Sequence, residues 1–391
     1  MSNAGDRVIY LDNNATTMTA PEVVRAMLPY FSEYYGNASS IHHFGGNLAK
    51  VIEEARAKVA FFLGADLSEV IFTSCGTESD SSAILSGITT NPLRKKIVVS
   101  AVEHPAVLNL VKDLSLHGYL VDKIPVDEYG RIDMNAAEYM IDDNTAIVSV
   151  MWANNETGNI HPIEKLSELA HKHGALFHTD AVQAAGKIRF SLHENPNIDL
   201  LSISGHKFHA PKGIGALYVR RGVRFHPFVI GGHQERGRRA GTENIPYIVA
   251  MGTAAELAVS HWNDENTFVR KLRDDLQNRL LAAIPAVKIN GDQENRLPNT
   301  TNLSFQYIEG ESILMHMDMY GICASSGSAC TTGSLEPSHV LRAMNVPYTA
   351  AHGAIRFSFS RYNTQDDVDV VIQVMPGIIE KIRMISPYWK S

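Results

Sequence analysis

Cysteine is scarce in this chain: three in 391 residues, at positions 75, 323 and 330, unevenly spaced and with no C-x-x-C pair. That excludes a disulfide framework and leaves a thiol available for chemistry. Long apolar runs are missing too. No stretch approaches the roughly 18 residues of a membrane span, and Met1 to Arg7 lacks the apolar core of a secretory signal, so a cytoplasmic globular protein with no membrane partner is expected. Ser2-Asn3-Ala4 is set aside as uninformative. Nor is there a basic block: 35 Lys and Arg stand against 42 Asp and Glu, a net charge of −7, which argues against nucleic acid as a partner. No internal repeat and no long disordered tract is present. What is there suffices for two or three compact units with real cores, acting on small molecules or proteins.

Between about residues 69 and 221 short β-branched runs alternate with helix-like stretches. The runs are Val70 to Thr73, Ile97 to Val102, Ala146 to Trp152, Leu176 to Asp180, Leu200 to Ser204 and Ala216 to Val219. Such alternation predicts an α/β fold with a mainly parallel sheet and helices on both faces. Several runs lack a period of two, as strands buried on both sides do. Ligands of such sheets bind beyond the carboxyl ends of the strands. From about Asn263 the texture changes to a long amphipathic helix through Ile284, strand-like runs at Val287 to Asn290 and Thr301 to Tyr307, and a closing helix from Thr364. This predicts a smaller α+β domain comprising 1–14 and 263–391, beside a large domain over 15–262. The segment Ala324 to Gly333 consists of small residues around Cys330, too small to pack a core.

The chemistry-bearing residues fall just after the predicted strands. Lys207 follows Ser204-Gly-His, a setting where partial desolvation favours the neutral amine that a Schiff base requires, although a lone lysine is more often a solvated surface residue. Asp180 ends an apolar run; it reads as a helix cap or as the partner of a pyridinium nitrogen, with Gln183 in reach of the ring's phenolic oxygen. Ser74 to Ser79 leads from strand to helix, so Gly76 and Thr77 mark either a plain helix start or an anion site. Gly213-Ile-Gly215 is no dinucleotide or P-loop fingerprint, since it lacks the third glycine and leads into another strand. His104, in Val-Glu-His-Pro, is placed to stack on a planar cofactor and to shuttle protons near neutral pH. Arg356 lies alone among apolar neighbours in Gly353 to Ser360, suited either to a substrate carboxylate or to a structural salt bridge. No metal is expected, because His171 and His173 sit two apart on a helix and face different directions.

Together these motifs resemble a nitrogen-fixation (NifS-type) cysteine desulfurase, a class-V aminotransferase family member of pyridoxal-phosphate fold type I. The resemblance runs from Tyr10-Leu-Asp-Asn-Asn-Ala-Thr-Thr17 to Ser386-Pro-Tyr-Trp389. Its most specific pieces are Asn154-Asn-Glu-Thr-Gly158, His178-Thr-Asp-Ala-Val-Gln183, Ser204-Gly-His-Lys207, Arg239-Ala-Gly-Thr-Glu-Asn244 and Ser325-Ser-Gly-Ser-Ala-Cys330. It implies that pyridoxal 5'-phosphate is bound through Lys207, with His104 stacked on the ring, Asp180 at the ring nitrogen and Gln183 at the phenolic oxygen. It further implies phosphate contacts from Gly76, Thr77, Ser204 and His206, with Thr242 reaching the phosphate of a neighbouring subunit in a homodimer. Asn155 and Arg356 would hold the cofactor face and the substrate carboxylate.

The implied reaction takes sulfur from L-cysteine onto Cys330 as a persulfide, with His104 accepting the thiol proton, and releases L-alanine. An iron–sulfur scaffold protein then takes the sulfur, in the nitrogen-fixation rather than the housekeeping branch. Cys75 and Cys323 read as ordinary small buried residues. A selenocysteine lyase, whose cysteine segment is shorter, an aminotransferase and a silent iron–sulfur scaffold are the alternatives.

Overall fold

The computed structural model describes residues 7–326 and 337–389. Its strands, in chain order, are β1 (Ile9–Tyr10), β2 (Val70–Thr73), β3 (Lys96–Ser100), β4 (Leu120–Ile124), β5 (Thr145–Ser149), β6 (Leu176–Asp180), β7 (Leu200–Ser204), β8 (Gly215–Val219), β9 (Val287–Asn290), β10 (Thr300–Phe305), β11 (Ile322–Cys323) and β12 (Ala354–Ser358). Among the described residues a seven-stranded sheet has the order β2-β8-β7-β6-β5-β3-β4. All its neighbours are parallel except β8, which runs antiparallel to both β2 and β7. The mainly parallel α/β architecture expected from the alternation is therefore present.

Buried side chains alternate across the sheet and feed two layers. Val98, Val148, Phe177, Leu201 and Ile203 pack with the helices Leu48–Leu63 and Ile245–Ser260 on one face. Ile97, Val99, Ala146, Ile147 and Leu200 pack with Gly76–Thr90 and Pro105–Leu116 on the other. Each large aliphatic chain so buried contributes roughly 1.5–3 kcal/mol. A third core gathers Ile9 and Leu11 with residues from Val269 to Ile382, around the antiparallel sheet β12-β10-β9.

The predicted strands match closely, with three shifts. The runs around β3 and β5 end at Ser100 and Ser149, two and three residues earlier than their hydropathy suggests, because the chain there turns into the pocket. β10 ends at Phe305, ahead of Tyr307, whose φ of 71° is left-handed. β4 was not anticipated: it is an edge strand with Leu120 exposed and Asp122 and Lys123 in its middle. The amphipathic stretch near 263–284 is helical, but one turn, Glu265–Val269, is π-helical. The closing helix Gln365–Ile385 starts at Thr364, whose hydroxyl accepts the Asp367 N–H in a capping box.

Candidate active site

The carboxyl ends of β2, β3, β5, β6 and β7 deliver their following residues to one cavity of about 420 Å³. It is lined by Gly76, Thr77, His104, Asn155, Asp180, Gln183, Ser204, His206, Lys207 and Arg356, every pocket residue expected from the sequence except Thr242. Thr242 is exposed and outside this cavity. Cys330 lies outside the described residues, and Ser325 and Ser326, on its N-terminal side, line the cavity.

Lys207 follows β7 on a short 3-10 turn, and its Nζ donates to the carbonyls of Asn14 at 2.5 Å and Ala15 at 2.8 Å. Burial first, then the charges of Lys187 and Arg356, lower its amine to about 7, against the pull of Asp180 and Asp12. A poised neutral amine is what imine formation demands. Asp180, at the end of β6, accepts the Val182 N–H at 2.9 Å. Burial pushes its carboxyl up to about 6, opposed by that hydrogen bond and by Lys207. A buried carboxylate so short of partners is suited to a cationic ring nitrogen.

The helix Gly76–Thr90 points its N-terminus at the cavity, with a positive dipole end and free N–H groups. A Cβ at Gly76 would meet Val182 Cγ2 at 2.9 Å, so only glycine leaves room there. Donor set, helix terminus and cavity size thus fit an anionic, ring-bearing group such as pyridoxal phosphate.

The His104 Nδ1 accepts the Ala106 N–H at 3.1 Å, capping the helix Pro105–Leu116, which leaves the neutral ring's proton on Nε2. Burial, then Lys207 and His339, lower it to about 4. Burial thus favours the neutral ring, with its Nδ1 engaged by the helix it caps. Arg356, on β12, donates to the Asn155 carbonyl at 2.9 Å and to Asp12 Oδ1 at 2.7 Å. Its Nε has no partner among the described residues.

Several pocket residues escaped the sequence reading. Asp12, Asn14 and Ala15 enter from the loop after β1; the polar run Asp-Asn-Asn behind an apolar strand was the available signal. Asp80 lies one turn into the helix that opens on the cavity, and beside the pocket rather than lining it Glu103 is fully buried, accepting the Ser100 hydroxyl and the Met151 N–H. Cys75 and Cys323 are part-exposed rather than buried, and Cys75 lines the cavity, because small residues at this strand end leave it open. No helix of the described residues is long and apolar enough to cross a membrane, and among them no cluster of metal-ligating side chains occurs.

A lysine beyond the carboxyl ends of a mostly parallel sheet, a buried aspartate beside it and a helix N-terminus across the same cavity define a pyridoxal-phosphate enzyme of fold type I. The chain belongs to the aminotransferase class-V family, whose model matches residues 9–371. It is 60% identical over 383 residues to the cysteine desulfurase of Gluconacetobacter diazotrophicus, covering 97% of this chain and 96% of that one. It is 55% identical over 384 residues to the cysteine desulfurase NifS of Azotobacter vinelandii, covering 98% and 95%. A solved NifS-like protein superposes with a TM-score of 0.90 at 39% identity, covering 96% of this chain and all of that one.

Proposed function

We propose that this chain is a cytoplasmic, pyridoxal-phosphate-dependent cysteine desulfurase of the NifS type. It converts L-cysteine to L-alanine and leaves the sulfur as a persulfide on Cys330 for an iron–sulfur scaffold protein, in the service of nitrogenase. The observation that carries the reading is the meeting of Lys207, the buried Asp180 carboxyl and the helix N-terminus at Gly76 in one cavity.

Bound pyridoxal phosphate would supply an electron sink at the substrate's α-carbon. Around it, the N–H groups of Gly76 and Thr77, with Ser204 and His206, hold the phosphate; Asp180 keeps the ring nitrogen charged; Gln183 donates to the phenolic oxygen; and His104 covers the ring face. Arg356 and Asn155 grip the substrate carboxylate, for which Arg356 exchanges its present partner Asp12. Lys207 Nζ, once released from the cofactor, accepts the α-proton and returns it to the product carbon. The Cys330 sulfur attacks the substrate sulfur; the carbon–sulfur bond breaks, so cysteine and enzyme thiol become alanine and enzyme persulfide with no external oxidant. The hydrogen lost by the Cys330 thiol is matched by the one gained at the methyl carbon of alanine, so the step balances.

A homodimer is part of this reading, with Thr242 completing the partner's phosphate site. It is supported by the exposed Leu28, Phe31, Tyr34, Tyr35, Ile41 and Phe44 within one stretch of chain. The division into 15–262 and 1–14 with 263–391 is supported by the separate core that joins Ile9 and Leu11 to the C-terminal residues.

The test is a visible spectrum of the purified protein with pyridoxal phosphate, followed by sulfide and alanine assays on wild type, Lys207→Ala and Cys330→Ala. Wild type should be yellow and yield equal sulfide and alanine; Lys207→Ala should lose the lysine-bound chromophore, and Cys330→Ala should lose desulfuration. Full activity in Cys330→Ala would shift the assignment to a lyase without persulfide, and a colourless wild type would leave a silent scaffold.

A further inference from the structure

A second, very small cavity of about 10 Å³ also borders Lys207, lined by Asn13, Lys187, Lys207, His209, Glu265 and Arg361 among others. That is room for a single water. Lys187 is 5% exposed, and its Nζ donates to the Gln183 carbonyl at 3.2 Å and to Gln183 Oε1 at 3.1 Å. A lysine has no acceptor, so the amide oxygen of Gln183 must face Lys187. The amide nitrogen then faces the other way, where it donates to the Asn14 carbonyl at 2.9 Å, and its second hydrogen is left for the cavity that Gln183 lines. Asn14 is the same residue whose carbonyl receives Lys207.

Glu265, on the π-helical turn, provides a buried countercharge to Lys187 without a direct hydrogen bond, and its Oε2 has no partner among the described residues. Such turns recur at functional sites. For a merely structural purpose, an apolar side chain of the same length would avoid the desolvation of an ammonium. The groups acting on Lys207 are Lys187 and Arg356, which disfavour its protonation, and Asp180 and Asp12, which favour it.

We propose that Lys187 is a positioning residue for the cofactor lysine: it fixes the Gln183 amide with its N–H toward the ring, and its ammonium borders the same small cavity as Lys207. This rests on the desulfurase reading above. It is tested on apo-enzyme by the rate at which the visible band appears on adding pyridoxal phosphate, measured against pH, since only the neutral amine attacks.

In Lys187→Met and in Lys187→Gln the midpoint of that profile should rise by about one pH unit, making capture about tenfold slower below it. Gln retains a donor for Gln183 but no charge, so a shift shared by both variants reports the charge. The double variant Lys187→Met with Glu265→Gln leaves no buried charge behind, guards against misfolding, and should show the same upward move. Midpoints equal to wild type in all three would overturn the proposal and make Lys187 structural. A wild type that never acquires the band would instead overturn the desulfurase reading, so the two failures are distinct.

Discussion

The buried pair Arg56–Glu235 offers the most demanding test of how this fold holds its phosphate-facing turn. Arg56, in the helix Leu48–Leu63, is 3% exposed and reaches Glu235 Oε2 at 2.6 Å and Oε1 at 2.8 Å, a two-pronged contact. The guanidinium also donates to the Val70 carbonyl at 3.0 Å and to Glu53 at 3.0 Å, and lies over the Phe72 ring. Glu235, at a left-handed φ of 47°, accepts the Phe72 N–H at 3.0 Å. Both partners thus clamp β2, the strand that runs into Ser74 to Gly76. Arg56→Met leaves the Glu235 carboxylate buried with one N–H for company and should lower stability by about 3–5 kcal/mol. Glu235→Gln keeps an acceptor for Phe72 and leaves Arg56 its Val70 and Glu53 contacts, so it should lose less. The double variant removes the stranded charge and should recover about 2 kcal/mol relative to Arg56→Met. Urea unfolding followed by far-ultraviolet dichroism and by the cofactor band measures all three. A double variant no more stable than Arg56→Met would refute the reasoning, because the loss would then come from packing rather than from an uncompensated charge.

Three further outcomes are expected. Arg356→Lys, which cannot present two parallel N–H groups to a carboxylate, should raise KM for L-cysteine by about tenfold or more with a smaller change in kcat, read by steady-state sulfide release. Gly76→Val should fold yet lose cofactor, read as the ratio of visible to protein absorbance, because its first added carbon already meets Val182 at 2.9 Å. Burial raises the Glu103 carboxyl to about 8, against the Ser100 and Met151 hydrogen bonds. Between about pH 4.5 and 8 the folded chain therefore holds a proton that the unfolded chain releases, and stability falls as pH rises, by up to about 1.4 kcal/mol per unit. Glu103→Gln should remove that slope, seen as a smaller loss of Tm from pH 6 to 8 than in wild type.

Six strands of the large sheet were legible because burial on both faces gives continuous apolar runs that need no partner to be recognised. β4 was not, since an edge strand with Asp122 and Lys123 carries neither a run nor a clear alternation. Lys207, Asp180, Gly76 and His104 were legible because strand ends announce themselves locally. Asp12 was not: its meaning comes from Arg356, 344 positions away, which the pairing of the segment after β1 with strand β12 brings to 2.7 Å. The π turn at Glu265 and the burial of Lys187 likewise follow from tertiary packing, and neither a glutamate in an amphipathic stretch nor a lysine in the turns after β6 gives warning of it. The proton position on His104 was out of reach for another reason, being set by a single backbone N–H of the helix it caps.

The arrangement of carboxyls explains why Asp180, rather than a neighbour, is suited to carry negative charge at the ring. Asp80, Glu103 and Asp180 are all buried and act on one another, with Asp80 and Asp180 lining the cavity, and three ionised carboxylates cannot share so dry a region. Asp80 is raised well above the ordinary range, by burial and then by Asp180, and its Oδ1 has no hydrogen-bond partner among the described residues. His178, 3.7 Å from that oxygen, is held neutral by burial, with its ring nitrogens on Ser149 and Ser202, and so brings no cation to ionise Asp80. Glu103 is raised to about 8 and has no cation among the groups acting on it. Asp180 alone of the three has a cation, Lys207, drawing it down, beside the Val182 N–H. Desolvation thus pushes Asp80 and Glu103 toward the neutral acid and leaves Asp180 as the carboxyl with a cation beside it. A ring nitrogen held against Asp180, as proposed, would add positive charge there and deepen that difference, so that a protonated ring would be favoured without the neighbouring carboxyls having to ionise.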